Sequence, residues 1–146
     1  MSASSARATA PPVADQLAGT WRLEAYDDLD EAGRVSTGPL GTRPEGLLLY
    51  QPHGFMSVSM MPGDGPTAVA DFMGYAGRWR IAGGQVVHEI TVASHPHLVH
   101  SRQVRDAVLD GDVLTLEGTS YLHGRPVRRR LTWRRVPCSA RPREDS

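Results

Sequence analysis

Apolar side chains recur at every second position through most of this chain, and the runs are cut by short turn sequences containing glycine. That period belongs to extended backbone with one buried face, because successive strand side chains point to opposite sides of a sheet. Eight such segments can be read: Thr20–Asp27, Gly46–Gln51, Phe55–Met61, Gly74–Ile81, Val86–Ser94, Arg102–Leu109, Val113–His123 and Val127–Val136. The joints Pro52-His53-Gly54, Gly83-Gly84, Asp110-Gly111 and Gly124-Arg125 have tight-turn chemistry, so neighbours in sequence become antiparallel neighbours in space. With 15 Gly and 11 Pro in 146 residues, a bundle of long helices is disfavoured. Only Val13–Ala18 and Pro66–Met73 suit short helices. The pattern predicts an all-β fold, an eight-stranded antiparallel up-and-down barrel with one or two short helices. A barrel of that size holds side chains or one small ligand.

Turn positions set register, and register decides which residues face inward. A two-residue loop at Gly83-Gly84 puts Ile81 opposite Val86 and Trp79 opposite His88. One face of this hairpin carries Tyr75, Gly77, Trp79 and Ile81 against Val86, His88, Ile90 and Val92; the other sets Arg78 across from Glu89. The Asp110-Gly111 turn brings Arg105, Ala107 and Leu109 inward with Leu114 and Leu116. A Gly124-Arg125 turn pairs Leu122 with Val127 and Leu116 with Trp133, giving the inward row Val127, Leu131, Trp133, Arg135. The Pro52–Gly54 turn places Tyr50 beside Met56 and Leu48 beside Val58. The first strand offers Trp21, Leu23 and Ala25.

The 16 basic residues, all Arg, balance 16 acidic ones, so no net field draws nucleic acid or an anionic membrane, and neither is an expected partner. No run reaches the roughly 18 apolar residues of a spanning helix. The first residues lack the apolar stretch of a signal peptide, which makes the cytoplasm the expected compartment. Residues 13–136 read as one domain, and 1–12 and 137–146 as disordered tails. The second tail holds Cys138, which has no second cysteine for an internal disulfide. Walker, Rossmann and Gly-x-Ser-x-Gly patterns are absent.

Gly19-Thr20-Trp21, opening the first strand, resembles the Gly-x-Trp signature of lipocalins and other calycins. The resemblance continues with GTWRL at 19–23, GLLLYQPHGFMSV at 46–58, GYAGRW at 74–79, VVHEITV at 86–92, the stretch from Val104 to Leu116, and LTWRR at 131–135. In order and spacing these pieces resemble the bacterial and fungal lipocalin-like domain family over nearly the whole core. The resemblance implies a calycin-type barrel, open at one end, that binds a hydrophobic small molecule. It also implies that Trp21 packs at the closed end beneath Arg135 or Arg134, in a structural role. Some lipocalin-like barrels in natural-product pathways act as cyclases or pericyclases, while other lipocalins are carriers.

His88 stands in an otherwise apolar row, a candidate general acid or base, or an anchor for a ligand oxygen. The plainer role is a core histidine satisfied by a backbone carbonyl or by Tyr75. Arg105, if inward, is a charge with no apparent acid partner, which a ligand carboxylate, enolate or carbonyl would supply. An outward Arg105, or one paired with a loop acid such as Asp71, is the alternative. Tyr75 completes the candidate catalytic group. Tyr50, Met56, Val58, Met60, Trp79, Ile90, Leu116 and Trp133 are candidate ligand contacts, or plain core. His95-Pro96-His97-x-x-His100 lacks an acidic fourth ligand and reads as loop, not metal site. Arg128-Arg129-Arg130 reads as a solvated strand face. The connections 27–45 and 62–73, the latter with Val69, Phe72 and Met73, are long enough to cover the barrel mouth.

The function expected is cofactor-independent cyclisation or isomerisation of one hydrophobic intermediate held in a reactive fold. A non-catalytic carrier with the same cavity is the alternative. Beyond the small molecule, the partner that remains open is a second copy of the chain, as a homodimer.

Overall fold

The computed structural model describes residues 11–122 and 125–137. Residues 1–10, His123 and Gly124 of the last turn, and residues 138–146 with Cys138 lie outside them. Among the described residues nine strands form: β1 (Gly19–Leu29), β2 (Val35–Thr37), β3 (Pro44–Tyr50), β4 (Phe55–Pro62), β5 (Met73–Ala82), β6 (Gln85–Ala93), β7 (Arg102–Asp110), β8 (Val113–Leu122) and β9 (Arg125–Arg135). β1 and β3 to β9 follow one another antiparallel, and β9 pairs back onto β1, closing an eight-stranded barrel. The extra strand β2 sits on the far end of β1, from Asp27↔Thr37 to Leu29↔Val35. Its three residues are all exposed, so no burial alternation announces it. Among the described residues helix is confined to α1 (Ala14–Leu17) and two 3-10 turns. The segment expected as a second helix gives only Val69–Asp71, where the Asp71 carboxylate accepts the backbone N–H groups of Thr67 and Ala68.

The registers at the β3–β4 and β5–β6 turns follow from turn chemistry as read. Ile81 opposes Val86 and Trp79 opposes His88, and Gly83 supplies the positive φ (65°) that this two-residue hairpin needs. Tyr50 lies beside Met56 and Leu48 beside Val58. The β7–β8 and β8–β9 pairings differ from expectation: Asp110 is still paired, opposite Val113, with Ala107 opposite Leu116, and Leu114 opposes Trp133, Leu116 opposes Leu131 and Leu122 opposes Arg125. Moving a two-residue loop by one position shifts register by two, so every side chain keeps its face. Leu131 and Trp133 therefore still point inward.

Two bulges alter the faces that alternation predicts. Between Leu23 and Ala25 the β1–β9 register slips, and beyond it Tyr26, not Ala25, is the buried residue. Between Ala76 and Gly77 the β5–β6 register slips too, and Val92 turns outward, 59% exposed. Arg78 does oppose Glu89, yet its guanidinium lies 4.6 Å over the Phe55 ring, and the ion pair to Glu89 comes from Arg80 at 3.6 Å.

The α1 end is packed solid. Trp21 and Leu17 are fully buried, and the Trp21 Nε1–H donates to the Leu17 carbonyl (2.9 Å). Arg135 lies 4.3 Å over the Trp21 ring and donates to the Ala18 carbonyl. Arg134 instead pairs with Glu24 on the exposed face. Leu48, Val86, Leu114 and Trp133 continue this core upward.

Candidate functional site

Above that core, the barrel brings β3, β5 and β6 together at His88. The ring is 3% exposed, and both nitrogens are engaged: Nε2 lies 2.6 Å from the Tyr50 hydroxyl and Nδ1 2.7 Å from the Tyr75 hydroxyl. Burial, with the positive charge of Arg105 adding to it, pulls His88 down to about 3. The imidazole is therefore neutral, with one N–H donor and one acceptor, so one phenol donates to it and the other accepts from it. Tyr50 is 1% exposed and stacked on Trp79 at 4.3 Å, with no other partner for its hydroxyl among the described residues. Tyr75 borders the cavity. Satisfying each buried proton assigns the Tyr50 O–H to Nε2 and Nδ1–H to the Tyr75 oxygen, leaving the Tyr75 O–H available to the cavity. Burial holds both phenols well above their usual range, so both stay protonated donors.

The cavity and its mouth enclose about 810 Å³. Tyr26, Val58, Met60, Met73, Tyr75, His88, Leu116 and Leu131 form its inner wall, with Gln103, Arg105, Ser120 and Arg129 on the polar side. Arg105 is inward and half-buried. A side chain at Gly118 would collide with its guanidinium, with the added Cβ 2.6 Å from Nη1 and 2.8 Å from Nε. Arg105 donates to the Val104 carbonyl (2.9 Å) and to Gln103 Oε1. Asp71, the alternative partner, is occupied by Thr67 and Ala68.

Of the residues singled out in the sequence, His88, Arg105, Tyr75, Val58, Met60 and Leu116 meet at this cavity. Tyr50, Met56, Trp79, Ile90 and Trp133 do not border it; they are buried in the packed interior, and Tyr50 reaches the site only through His88. Alternation correctly turned these residues away from solvent but carried no measure of depth along the barrel. Tyr26 was missed because the β1 bulge brings it in. The inner ion pair Arg129–Asp28 (3.0 Å) was missed because it depends on β9 closing onto β1.

Neither of the two long connections covers the mouth. Residues 27–45 contribute nothing to the lining, and 62–73 contributes only Met73. Val69 is 88% exposed, and its loop is tied to the β6 end by His95 Nε2 to the Ala70 carbonyl (3.3 Å) and by the Gly74 N–H to Ser94 Oγ (3.0 Å). His97 and Leu98, from the short turn Pro96–Leu98, line the mouth instead. The arginine run is more engaged than a plain solvated face: Arg128 pairs with Asp106 and Glu117, and Arg130 with Glu117.

A family model described as a lipocalin-like domain matches residues 18–136, which span all eight barrel strands. The chain belongs to the lipocalin-like domain family. No curated protein matches it significantly. A lipocalin-like barrel suggests small-molecule binding, and the space above the Trp21 core is where this one has room for a ligand. Among the described residues no helix is long and apolar enough to cross a membrane.

Proposed function

We propose that this lipocalin-like domain binds one hydrophobic small molecule and catalyses its cyclisation or isomerisation without a cofactor, in natural-product biosynthesis in the cytoplasm. The observation that carries the reading is the hydrogen-bonded chain Tyr50–His88–Tyr75, buried in an apolar interior and ending beside the cavity. Each donor in that chain polarises the next, so the Tyr75 O–H is a stronger donor than an isolated phenol. Met60, Leu116 and Leu131 supply an apolar wall against which a flexible substrate is held folded, which brings its reacting atoms together. A substrate carbonyl within reach of Tyr75 would gain a stronger hydrogen bond as negative charge develops on its oxygen. Bonds rearrange within one molecule, so product and substrate have the same mass.

The test is incubation of the purified protein with cell extract, followed by chromatography and mass spectrometry. The expected result is a new species of unchanged mass, formed about 10- to 100-fold more slowly by Tyr75→Phe. An unaltered rate in Tyr75→Phe and in His88→Gln would leave cavity shape as the catalyst. A molecule recovered intact, with no isomer formed, would support the second reading, a carrier. That reading draws on the mouth, which neither long connection covers.

A further inference from the structure

Arg105 imposes a demand that the Tyr50–His88–Tyr75 chain does not. Burial works against its charge and lowers its pKa. Such a guanidinium ordinarily has a carboxylate against it. The acids around this site are already held: Asp28 by Arg129 (3.0 Å), Glu117 by Arg130 (2.7 Å), and Asp106 by Arg128 (2.9 Å) and Gln85 (3.0 Å). Among the described arginines that are not exposed, Arg129, Arg130 and Arg135 each have a carboxylate within 3.8 Å, whereas Arg105 has none. Its two hydrogen bonds go to neutral oxygens, of Val104 and Gln103, and leave three of five N–H donors without an acceptor among the described residues. Shape holds the group in place, since β8 carries only Gly118 beneath it. With Asp28 paired to Arg129, Glu117 to Arg130 and Asp106 to Arg128, two arginines of the lining have no acid among the described residues, the exposed Arg102 and the half-buried Arg105, and only Arg105 carries its charge into the barrel.

We propose that the ligand of this cavity is an organic monoanion: an apolar body carrying one carboxylate or enolate, received by Arg105. The proposal rests on the reading of the cavity as a ligand site and names what that ligand must carry. Arg105 takes the anionic head in charge-assisted hydrogen bonds, and the Tyr75 hydroxyl, which lines the same cavity, is a second donor for its oxygens. Met60, Leu116 and Leu131 face the apolar body. A neutral ligand oxygen would accept a hydrogen bond from the guanidinium but leave its charge uncompensated as water is displaced.

Dodecanoate and dodecanol share one apolar body and differ in the head. Displacement of the neutral fluorophore N-phenyl-1-naphthylamine from the full chain, well above a carboxyl pKa of about 4–5, gives an affinity for each. The wild-type protein is expected to bind dodecanoate about tenfold or more tightly than dodecanol. Arg105→Gln should bring the two within about twofold by weakening dodecanoate alone, and Arg105→Lys should keep part of the preference. Equal affinities in the wild type, or a preference that survives Arg105→Gln, overturn the proposal. If Arg105→Gln does not fold, Gly118→Ala decides in its place, because the added methyl displaces the same guanidinium; a retained preference again overturns it. A failure of the fluorophore and both alcohol and acid to bind overturns the ligand-site reading itself, an outcome distinct from binding without preference.

Discussion

Lowering the pH from 7 to 5 should remove about 2 kcal/mol of stability from this domain, chiefly through His88. In the folded protein burial and Arg105 hold this imidazole down to about 3, while in the unfolded chain it titrates near 6.5. Between those values the unfolded state binds a proton that the folded state refuses. Stability therefore rises with pH across the window, is complete above the unfolded value, and is lost as pH falls toward 3. At about 1.36 kcal/mol per pKa unit the whole span is worth about 5 kcal/mol, a large share of the ~5–15 kcal/mol of an ordinary domain. The part above pH 5 is the cleanest to measure. The carboxylates of Asp30, Asp71 and Asp106, held low by hydrogen bonds, titrate below that range. Urea unfolding at pH 7, 6 and 5 would be compared between the wild type and His88→Gln, whose amide keeps a donor and an acceptor beside Tyr50 and Tyr75. The other five histidines are common to both proteins, so the difference in slope isolates His88. The wild type should lose most of its 2 kcal/mol and the variant, weaker at every pH, should lose much less. Parallel slopes would refute the reasoning, because they would mean that the folded protein accepts the proton at His88 as readily as the unfolded chain does.

Trp133 is 1% exposed, and its Nε1–H is the buried side-chain polar atom that has no partner among the described residues. Trp133→Phe removes that donor at the expense of some packing, two effects of about 1–3 kcal/mol with opposite sign, so thermal melting should show a net change within about 1 kcal/mol; a loss above about 3 kcal/mol would mean that the N–H is satisfied. Gly77→Ala should be severe, because a Cβ there would run into the Glu89 carbonyl oxygen, a backbone atom that cannot rotate aside. Loss of more than about 3 kcal/mol in urea unfolding, or no soluble folded protein, is expected, and a near-neutral result would show that the β5–β6 bulge can open.

The candidate site was partly legible from local pattern. His88 was marked because a titratable ring interrupts Val86, Ile90 and their apolar partners, and Arg105 because turn chemistry placed it beside Ala107 and Leu109. Tyr50 was legible as an inward aromatic but not as the hydrogen-bond partner of His88, which lies 38 residues away and two strands beyond β4. Tyr26 carried no usable signal: alternation pointed to Ala25, and only the slip between Leu23 and Ala25 exchanged them.

The sequence by itself determined that this is a closed sheet of short antiparallel strands, and which face of nearly every strand is apolar. Both are local properties, set by period-2 burial and by the turns that glycine permits. Face assignment even survived the misplaced β8–β9 loop, since a register shift of two returns each side chain to its own side. Only the tertiary structure decided how deep each inward residue lies. Trp133 and Leu131 are neighbours in one inward row, yet the first is packed core and the second is cavity wall. That difference comes from strand stagger, the two bulges and the closure of β9 onto β1, which act between residues far apart in the chain. The same closure joined Arg129 to Asp28 and left Arg105 as the half-buried cation without an acid among the described residues.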